Sequence, residues 1–352
     1  MANELGLIPF LSMEVEMANP VLVEMLRGDR VESCHRGALA IARPDGGLVF
    51  AIGAVHRPIY PRSAIKSIQC LPTIETGAAD RFGFGDAEIA LACASHSGTE
   101  RHVAVAAGML AKAGLDANAL GCGAHDPISI AATRCLIKAG HEPSALHNNC
   151  SGKHAAMLAT AVHMGEPAAD YLRSDHPVQV RIARALEDVT GVRLGPDHVG
   201  VDGCSAPNWA IPLANLARGF ARLVTGEGLG AERARAAQRI MLACWAEPEM
   251  VAGPERLDTS LMTRFKGQLF TKTGAEGVYC GALPGRGLGF AIKIDDGAKR
   301  ASEMVLKALI ARLLPGAEDL AAEEVVPNWR GVAAARLRCA SPWLEALEAA
   351  GF

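Results

Sequence analysis

The strand-like segments of this sequence lie towards its two ends, and helix-like segments fill the middle. Residues 35–42 and 48–53 are apolar runs on either side of a Pro-Asp-Gly-Gly turn, so they predict a β-hairpin. Residues 277–283 and 288–294 flank a Pro-Gly-Arg-Gly turn and predict a second hairpin. Residues 332–337 predict a last strand.

The middle of the chain carries the periodic apolar spacing of amphipathic helices. The predicted helices cover residues 63–78, 99–113, 151–163, 176–190, 208–222, 231–246 and 299–314. Thr99 is a capping residue for one of them, and Pro72 predicts a kink or an early stop in another. Strands at both ends with helices between them predict an α+β fold, in which the terminal strands form one antiparallel sheet flanked by helices.

The chain of 352 residues has room for one large domain or two ordinary ones. Half of the residues are hydrophobic and 21% are charged, which is typical of a globular protein. No internal repeat or low-complexity linker divides the sequence. The expected organisation is therefore an N-terminal arm over 1–30, a single domain over 31–337 and a C-terminal tail over 338–352.

Composition excludes several classes of partner. The formal net charge is −3 and the basic residues are scattered, so there is no electrostatic case for nucleic acid. The sequence has no glycine-rich nucleotide-binding motif and no apolar run long enough to span a membrane. Residues 1–16 contain three glutamates and no lysine or arginine, unlike a signal peptide. The expected location is the cytoplasm, where the ten cysteines are reduced thiols.

Two short motifs point to a serine nucleophile. Ser63 and Lys66 lie one helical turn apart, and a lysine amine activates a serine when its pKa is lowered. Lys272-Thr273-Gly274 comes just before the second predicted hairpin. Ser-x-x-Lys on a helix beside Lys-Thr-Gly on a strand is the arrangement of serine β-lactamases and penicillin-binding proteins. A solvated lysine at a strand end is the simpler alternative for the second motif.

Two polar loops precede predicted helices. Residues 93–99 contain three hydroxyl groups and an imidazole, which suit a catalytic loop or a simple helix cap. Residues 148–154 contain Cys150 and His154, four apart on one helix face, and Cys204 offers a second thiolate. Two cysteines and one nitrogen ligand form a zinc site with an open position. A buried thiol near a turn is the commoner alternative.

These motifs occur together with others in a fixed order. They are Arg62-Ser63-Ala64-x-Lys66, Cys93-Ala94-Ser95-His96-Ser97, Asn149-Cys150-Ser151-Gly152-Lys153-His154, Asp175-His176-Pro177, Asp202-Gly203-Cys204 and Lys272-x-Gly274. Over residues 31–332 the sequence resembles the rhizobial-type L-asparaginase II family. The resemblance implies a fold similar to serine β-lactamases, a homodimer, and hydrolysis of L-asparagine to L-aspartate and ammonia.

The resemblance implies an active site with two Ser-Lys pairs. They are Ser63 with Lys66, and Ser95 with Lys272. We expect Ser63 to attack the side-chain amide while Lys66 takes its proton, so that an acyl-enzyme forms. Ser95 and Lys272 are expected to relay protons or to activate the second, hydrolytic step.

Substrate binding and a metal complete the expected site. Arg62 adds positive charge that suits the substrate carboxylate, and Asp202 is expected to bind the ammonium. The resemblance implies zinc held by Cys150, Lys153 and Cys204, with the lysine in place of the histidine that spacing suggests. A lysine ligates a metal only without its proton, so this site requires a strongly lowered lysine pKa. We expect the zinc to have a supporting role.

Two other functions fit parts of the pattern. A β-lactamase-like amidase or esterase shares the Ser-x-x-Lys and Lys-Thr-Gly motifs. A non-catalytic module that binds an amino acid or zinc accounts for the polar loops. Two Ser-Lys pairs argue against the binding module, because a binder has no need of paired bases.

Overall fold

The computed structural model describes residues 18–352, which form a mixed α+β protein. Its strands β1 to β12 are Val21–Arg27, Arg30–Ala42, Leu48–Ile52, Pro58–Ile59, Val199–Val201, Pro207–Trp209, Ile211–Pro212, Phe270–Thr273, Val278–Leu283, Leu288–Ile294, Glu324–Pro327 and Ala333–Cys339. Its α-helices α1 to α14 are Lys66–Gln69, Leu71–Glu75, Ala78–Arg81, Asp86–Ala92, Glu100–Lys112, Ile130–Lys138, Ser151–His163, Pro177–Thr190, Leu213–Thr225, Ala231–Ala246, Pro248–Val251, Leu257–Arg264, Lys299–Leu313 and Ser341–Ala349.

One antiparallel sheet joins the two ends of the described chain. Its strand order is β11-β12-β1-β2-β10-β9-β8, and β3 also pairs with β2. Strand β2 is long enough to pair with β1 over its first half and with β10 over its second, where Ile41 lies opposite Phe290. The predicted α+β fold is confirmed, and so are both predicted hairpins, β2–β3 and β9–β10.

The sheet separates two hydrophobic layers. In β10, Phe290 and Ile292 pack into the layer that contains α13, whereas Ala291 faces the layer that contains α9 and the helical middle. This alternation follows from the period of two in a strand. Helix α9 crosses β10 so closely that a Cβ at Gly289 would lie 2.1 Å from the carbonyl oxygen of Ala217. Glycine is therefore required at that position.

Most predicted helices are confirmed, with two corrections. The predicted helix over 63–78 is wrong as a single helix, because a 3₁₀ turn (Arg62–Ile65) is followed by α1 and α2. Pro72 sits in the first turn of α2, where its missing N–H is not needed. The predicted helix over 208–222 begins only at α9, because β6 and β7 precede it. Within residues 18–352, no helix is both long enough and apolar enough to span a membrane.

Both predicted end segments contribute to the packed body. Strand β1 falls within the predicted arm over 1–30, yet it pairs with β2 and β12, and residues 1–17 of that arm lie outside the described residues. Helix α14 falls within the predicted tail over 338–352. Its Trp343 is fully buried and donates a hydrogen bond to the carbonyl oxygen of Leu22 at 2.8 Å. Partners distant in sequence therefore cover both segments.

Candidate active site

A cavity of about 410 Å³ collects most of the predicted site residues. Six of the nine line it: Arg62, Ser63, Ser95, Cys150, Asp202 and Cys204. The other three are lysines that are at most 2% exposed: Lys66, Lys153 and Lys272. The cavity therefore presents hydroxyl, thiol and charged groups at its surface, with buried amines in its wall.

Ser63 and Lys66 are brought to the cavity by the broken helix. Ser63 lies in the 3₁₀ turn and Lys66 opens α1, where it is fully buried. The Nζ of Lys66 donates to the carbonyl oxygen of Ala94 at 2.5 Å and lies 3.0 Å from the Sγ of Cys150. The Lys66 amide donates to the carbonyl oxygen of Ser63, but within the described residues no hydrogen bond joins the Ser63 hydroxyl to the Lys66 amine. Lys66 instead ties α1 to the two polar loops identified in the sequence.

Ser95 belongs to a loop that a buried histidine holds in place. The Ser95 amide donates to the carbonyl oxygen of Val251 at 3.0 Å. Next to it, the Nε2 of His96 is 2.9 Å from the hydroxyl of Ser151, and its ring stacks on His102. Burial lowers the pKa of His96 well below its usual value, so this imidazole is neutral. The 93–99 loop is thereby fixed against the start of α7.

Lys272 is the most perturbed amine of the site. It lies on β8, is fully buried, and donates to the carbonyl oxygen of Thr273 at 3.0 Å. Burial lowers the pKa of Lys272 to about 7; the nearby cations Lys66 and Arg256 add to the shift, and Asp258 opposes it. The alternative of a solvated lysine at a strand end is therefore wrong. A large part of the Lys272 population is a neutral amine at neutral pH.

Arg62 and Asp202 form an ion pair with each other. The Nε of Arg62 donates to Asp202 at 2.5 Å, and the Gly203 amide donates to the same oxygen at 2.8 Å. Burial opposes ionisation of Asp202, but Lys153 and Arg62 lower its pKa. Arg62 adopts a left-handed backbone conformation with φ of 53°. The sequence analysis predicted two separate substrate contacts. In the structure the charges of Arg62 and Asp202 also balance each other.

The predicted metal ligands are neighbours in space. Cys150 and Cys204 are close enough to shift each other's pKa, and the Nζ of Lys153 lies 3.1 Å from the Sγ of Cys204. Helix α7 can bring them here because Gly152 packs against Leu91, where a Cβ would lie 2.3 Å from a carbonyl oxygen. Two sulfurs and one amine are the types of donor atom that zinc binds.

The protonation of this cluster differs from that of a loaded zinc site. Burial lowers the pKa of Lys153, but Cys204, Cys150 and Asp202 raise it by more. The amine is therefore protonated in this arrangement. A metal would have to displace that proton. His154 is directed elsewhere, because its Nδ1 lies 2.6 Å from the Tyr171 hydroxyl. In the part of the chain that the structure describes, no group of three His, Cys, Asp or Glu residues is arranged to hold a metal.

Among the cavity residues that the sequence analysis missed are His125 and Arg256. His125 accepts a hydrogen bond from the Asn149 amide at 2.9 Å, and Arg256 reaches the carbonyl oxygen of Ser95 at 3.5 Å. Both line the cavity. Neither lies in a recognisable motif, and each reaches the site from a distant part of the chain, so sequence spacing carried no signal for them.

The site is a cavity lined by serines, with buried lysines behind them, on an α+β scaffold. Comparison with family models identifies the family: the model of L-asparaginase II matches residues 23–339. The chain therefore belongs to the L-asparaginase II family, as its motifs indicate. The class of enzyme that this membership implies is a hydrolase acting on amides.

Other comparisons are more distant. The crystal structure of Mglu in its native form is 15% identical, with a TM-score of 0.44; the alignment covers 79% of this chain and 65% of that one. A β-lactamase from Mycobacterium bovis is 12% identical, with a TM-score of 0.41, over 78% of this chain and 94% of that one. Both scores are below 0.5, and we base no conclusion on them. No curated protein matches the sequence significantly.

Proposed function

We propose that this protein hydrolyses L-asparagine to L-aspartate and ammonia. The observation that carries the proposal is the family match over residues 23–339, which includes the whole candidate site. The cavity supports it, because Ser63 and Ser95 both line it. A small polar amide suits a cavity of about 410 Å³.

Ser63 is proposed as the nucleophile. Its hydroxyl adds to the side-chain amide carbonyl while its proton passes to Lys66, which must first be neutral. The proton then moves to the departing nitrogen, so that ammonia leaves and an ester between the aspartyl group and Ser63 remains. The Ala94 carbonyl and the Cys150 sulfur already accept hydrogen bonds from Lys66, and these contacts hold its amine in position.

Ser95 and Lys272 are proposed to serve the second step. Water loses a proton as its oxygen bonds to the acyl carbon; the bond from that carbon to the Ser63 oxygen then breaks, the proton passes to Ser63, and L-aspartate leaves. A base works best when its pKa lies near the working pH. The Lys272 pKa of about 7 meets that condition. Ser95 lines the cavity, which supports a role for its hydroxyl in passing the proton from water to the amine.

Asp202 is proposed to bind the ammonium of the substrate. Its carboxylate lines the cavity and is ionised, since Lys153 and Arg62 lower its pKa against the effect of burial. Arg62 contacts one of its oxygens, and a carboxylate has lone pairs enough for a further donor. Arg62 thus acts in substrate binding by orienting Asp202.

Zinc is proposed as a supporting ion held by Cys150, Lys153 and Cys204. When bound there, zinc would supply a Lewis acid beside the cavity. We expect zinc in the purified protein by elemental analysis, and its loss in Cys204→Ser with the fold retained. Equal zinc in both proteins would exclude this site. A homodimer is proposed from the resemblance, and light scattering on the same sample tests it.

Ammonia release from L-asparagine tests the proposed function, with L-glutamine measured in parallel. We expect Ser63→Ala to abolish turnover without changing the circular dichroism spectrum. Ser302→Ala is the matched control, because Ser302 lines the same cavity but binds the carbonyl oxygen of Lys299. Substantial activity in Ser63→Ala would show that another group is the nucleophile. No ammonia from either amide would favour a different amidase or esterase, or a binding module.

A further inference from the structure

The α-carboxylate of an amino acid substrate requires a cation in the cavity that is not already paired with a carboxylate of the protein. Two cations of the cavity lining are already paired. Arg62 is bound to Asp202 at 2.5 Å. Lys299 is largely exposed and lies 3.4 Å from Glu303, so solvent screens its charge.

The buried lysines do not fill this role either. Lys66 donates to Ala94 and contacts Cys150, and Lys272 donates to Thr273. Neither amine is exposed at the cavity surface. Both are assigned to proton transfer in the proposed function.

Arg256 is the remaining cation of the cavity lining. It is half-buried, and within the described residues no carboxylate lies within 4 Å of its guanidinium. Its one side-chain hydrogen bond there is a long contact of 3.5 Å to the carbonyl oxygen of Ser95. The nearby Asp258 is engaged instead by the Tyr279 hydroxyl at 2.7 Å and the Thr273 amide at 3.3 Å.

We propose that Arg256 binds the α-carboxylate of the substrate and thereby selects side-chain amides of α-amino acids. This inference rests on the proposed function, because it concerns the same cavity. A guanidinium presents five donors in a plane and binds a carboxylate through two parallel hydrogen bonds. The long contact to Ser95 leaves most of those donors free, and it places the bound carboxylate beside one of the two serines.

Three ligands distinguish the contribution of the α-carboxylate to binding from that of the rest of the substrate. L-asparagine carries both charged groups, succinamate lacks the ammonium, and β-alaninamide lacks the α-carboxylate. Their dissociation constants are measured by calorimetry on the Ser63→Ala protein, in which turnover does not interfere. Adding Arg256→Gln is expected to weaken L-asparagine and succinamate by at least about tenfold, while β-alaninamide changes by less than about twofold. Lys299→Gln is the matched control, for which all three constants stay within about twofold.

Equal weakening of all three ligands by Arg256→Gln would overturn the proposal, and so would unchanged binding of L-asparagine. If Arg256→Gln does not fold, the Ser63→Ala protein alone still decides: β-alaninamide must bind at least about tenfold more weakly than L-asparagine. Ammonia release by the wild-type protein distinguishes a wrong role for Arg256 from a wrong proposed function. Turnover of L-asparagine without a carboxylate-specific effect refutes the role of Arg256 only. Carboxylate-specific binding without turnover refutes the proposed function only.

Discussion

Lys272 is a buried amine whose protonation changes across neutral pH. Because burial lowers its pKa to about 7, it is protonated in acid and becomes a base as the pH rises. We expect kcat for L-asparagine to increase from about pH 6 to about pH 8 with an apparent pKa near 7. A pH–rate profile measures this, and a kcat that is flat over the range would mean that Lys272 is not the base.

The same residue affects stability in a direction that follows from linkage. Its folded pKa of about 7 lies below its ordinary value of 10.5, so between these pH values the unfolded chain binds more protons. Lys272 therefore makes the free energy of unfolding rise with pH across that window. Lys272→Met should show a weaker rise in urea denaturation experiments from about pH 7 to about pH 9. Parallel curves for the two proteins would contradict the shift.

At the scale of elements, the contact between α9 and β10 depends on Gly289. A methyl group there would lie 2.1 Å from the carbonyl oxygen of Ala217, so the helix would have to move away. We expect Gly289→Ala to lower the free energy of unfolding by about 1–3 kcal/mol or more. Gly285→Ala is the control, because a Cβ at Gly285 meets nothing within 4 Å. Similar urea midpoints for the two variants would show that the helix adjusts freely.

Elements that depend on local sequence were predicted well. Helix α10 has the predicted bounds of 231–246, and the β9–β10 hairpin follows its turn residues closely. The break in the predicted helix over 63–78 was only partly visible. Pro72 signalled a stop, but nothing local signalled the 3₁₀ turn over Arg62–Ile65, in which Arg62 has a left-handed backbone and pairs with Asp202, far away in sequence. Long-range contacts of this kind leave no periodic pattern for a single sequence to show.

In the candidate site, too, features encoded locally were predicted and features that depend on long-range contacts were not. Ser63, Ser95 and Cys150 were found because each lies in a dense motif, and all three line the cavity. The contact between Lys66 and Cys150 was not predicted, although both residues were identified. Arg256 was missed altogether, because a lone arginine after a proline and a glutamate carries no motif. Residue types are encoded locally, whereas their pairing depends on how the elements pack.

At the scale of the whole molecule, Trp343 tests whether α14 is an appendage or part of the body. It is fully buried against β1 and donates a hydrogen bond to Leu22. We expect Trp343→Ala to reduce the free energy of unfolding by about 3–5 kcal/mol. Trp329→Ala is the matched control, because Trp329 is fully exposed, and it should change stability by less than about 0.5 kcal/mol. Equal urea midpoints for the two variants would make α14 a dispensable tail.

The position of β2 in the sheet also decides the order of events during folding. Because Ile41 pairs with Phe290, β2 gains its inner neighbour only by closing a loop that contains most of the chain. Such closure costs little more free energy than a shorter loop, but pairing over this separation is slow. The helical middle, with its local contacts, can form first. Burial and the nearby Lys66 lower the pKa of Lys272, and both require β8 to pack against the helical middle of the chain. A partly folded chain therefore lacks the low pKa of Lys272.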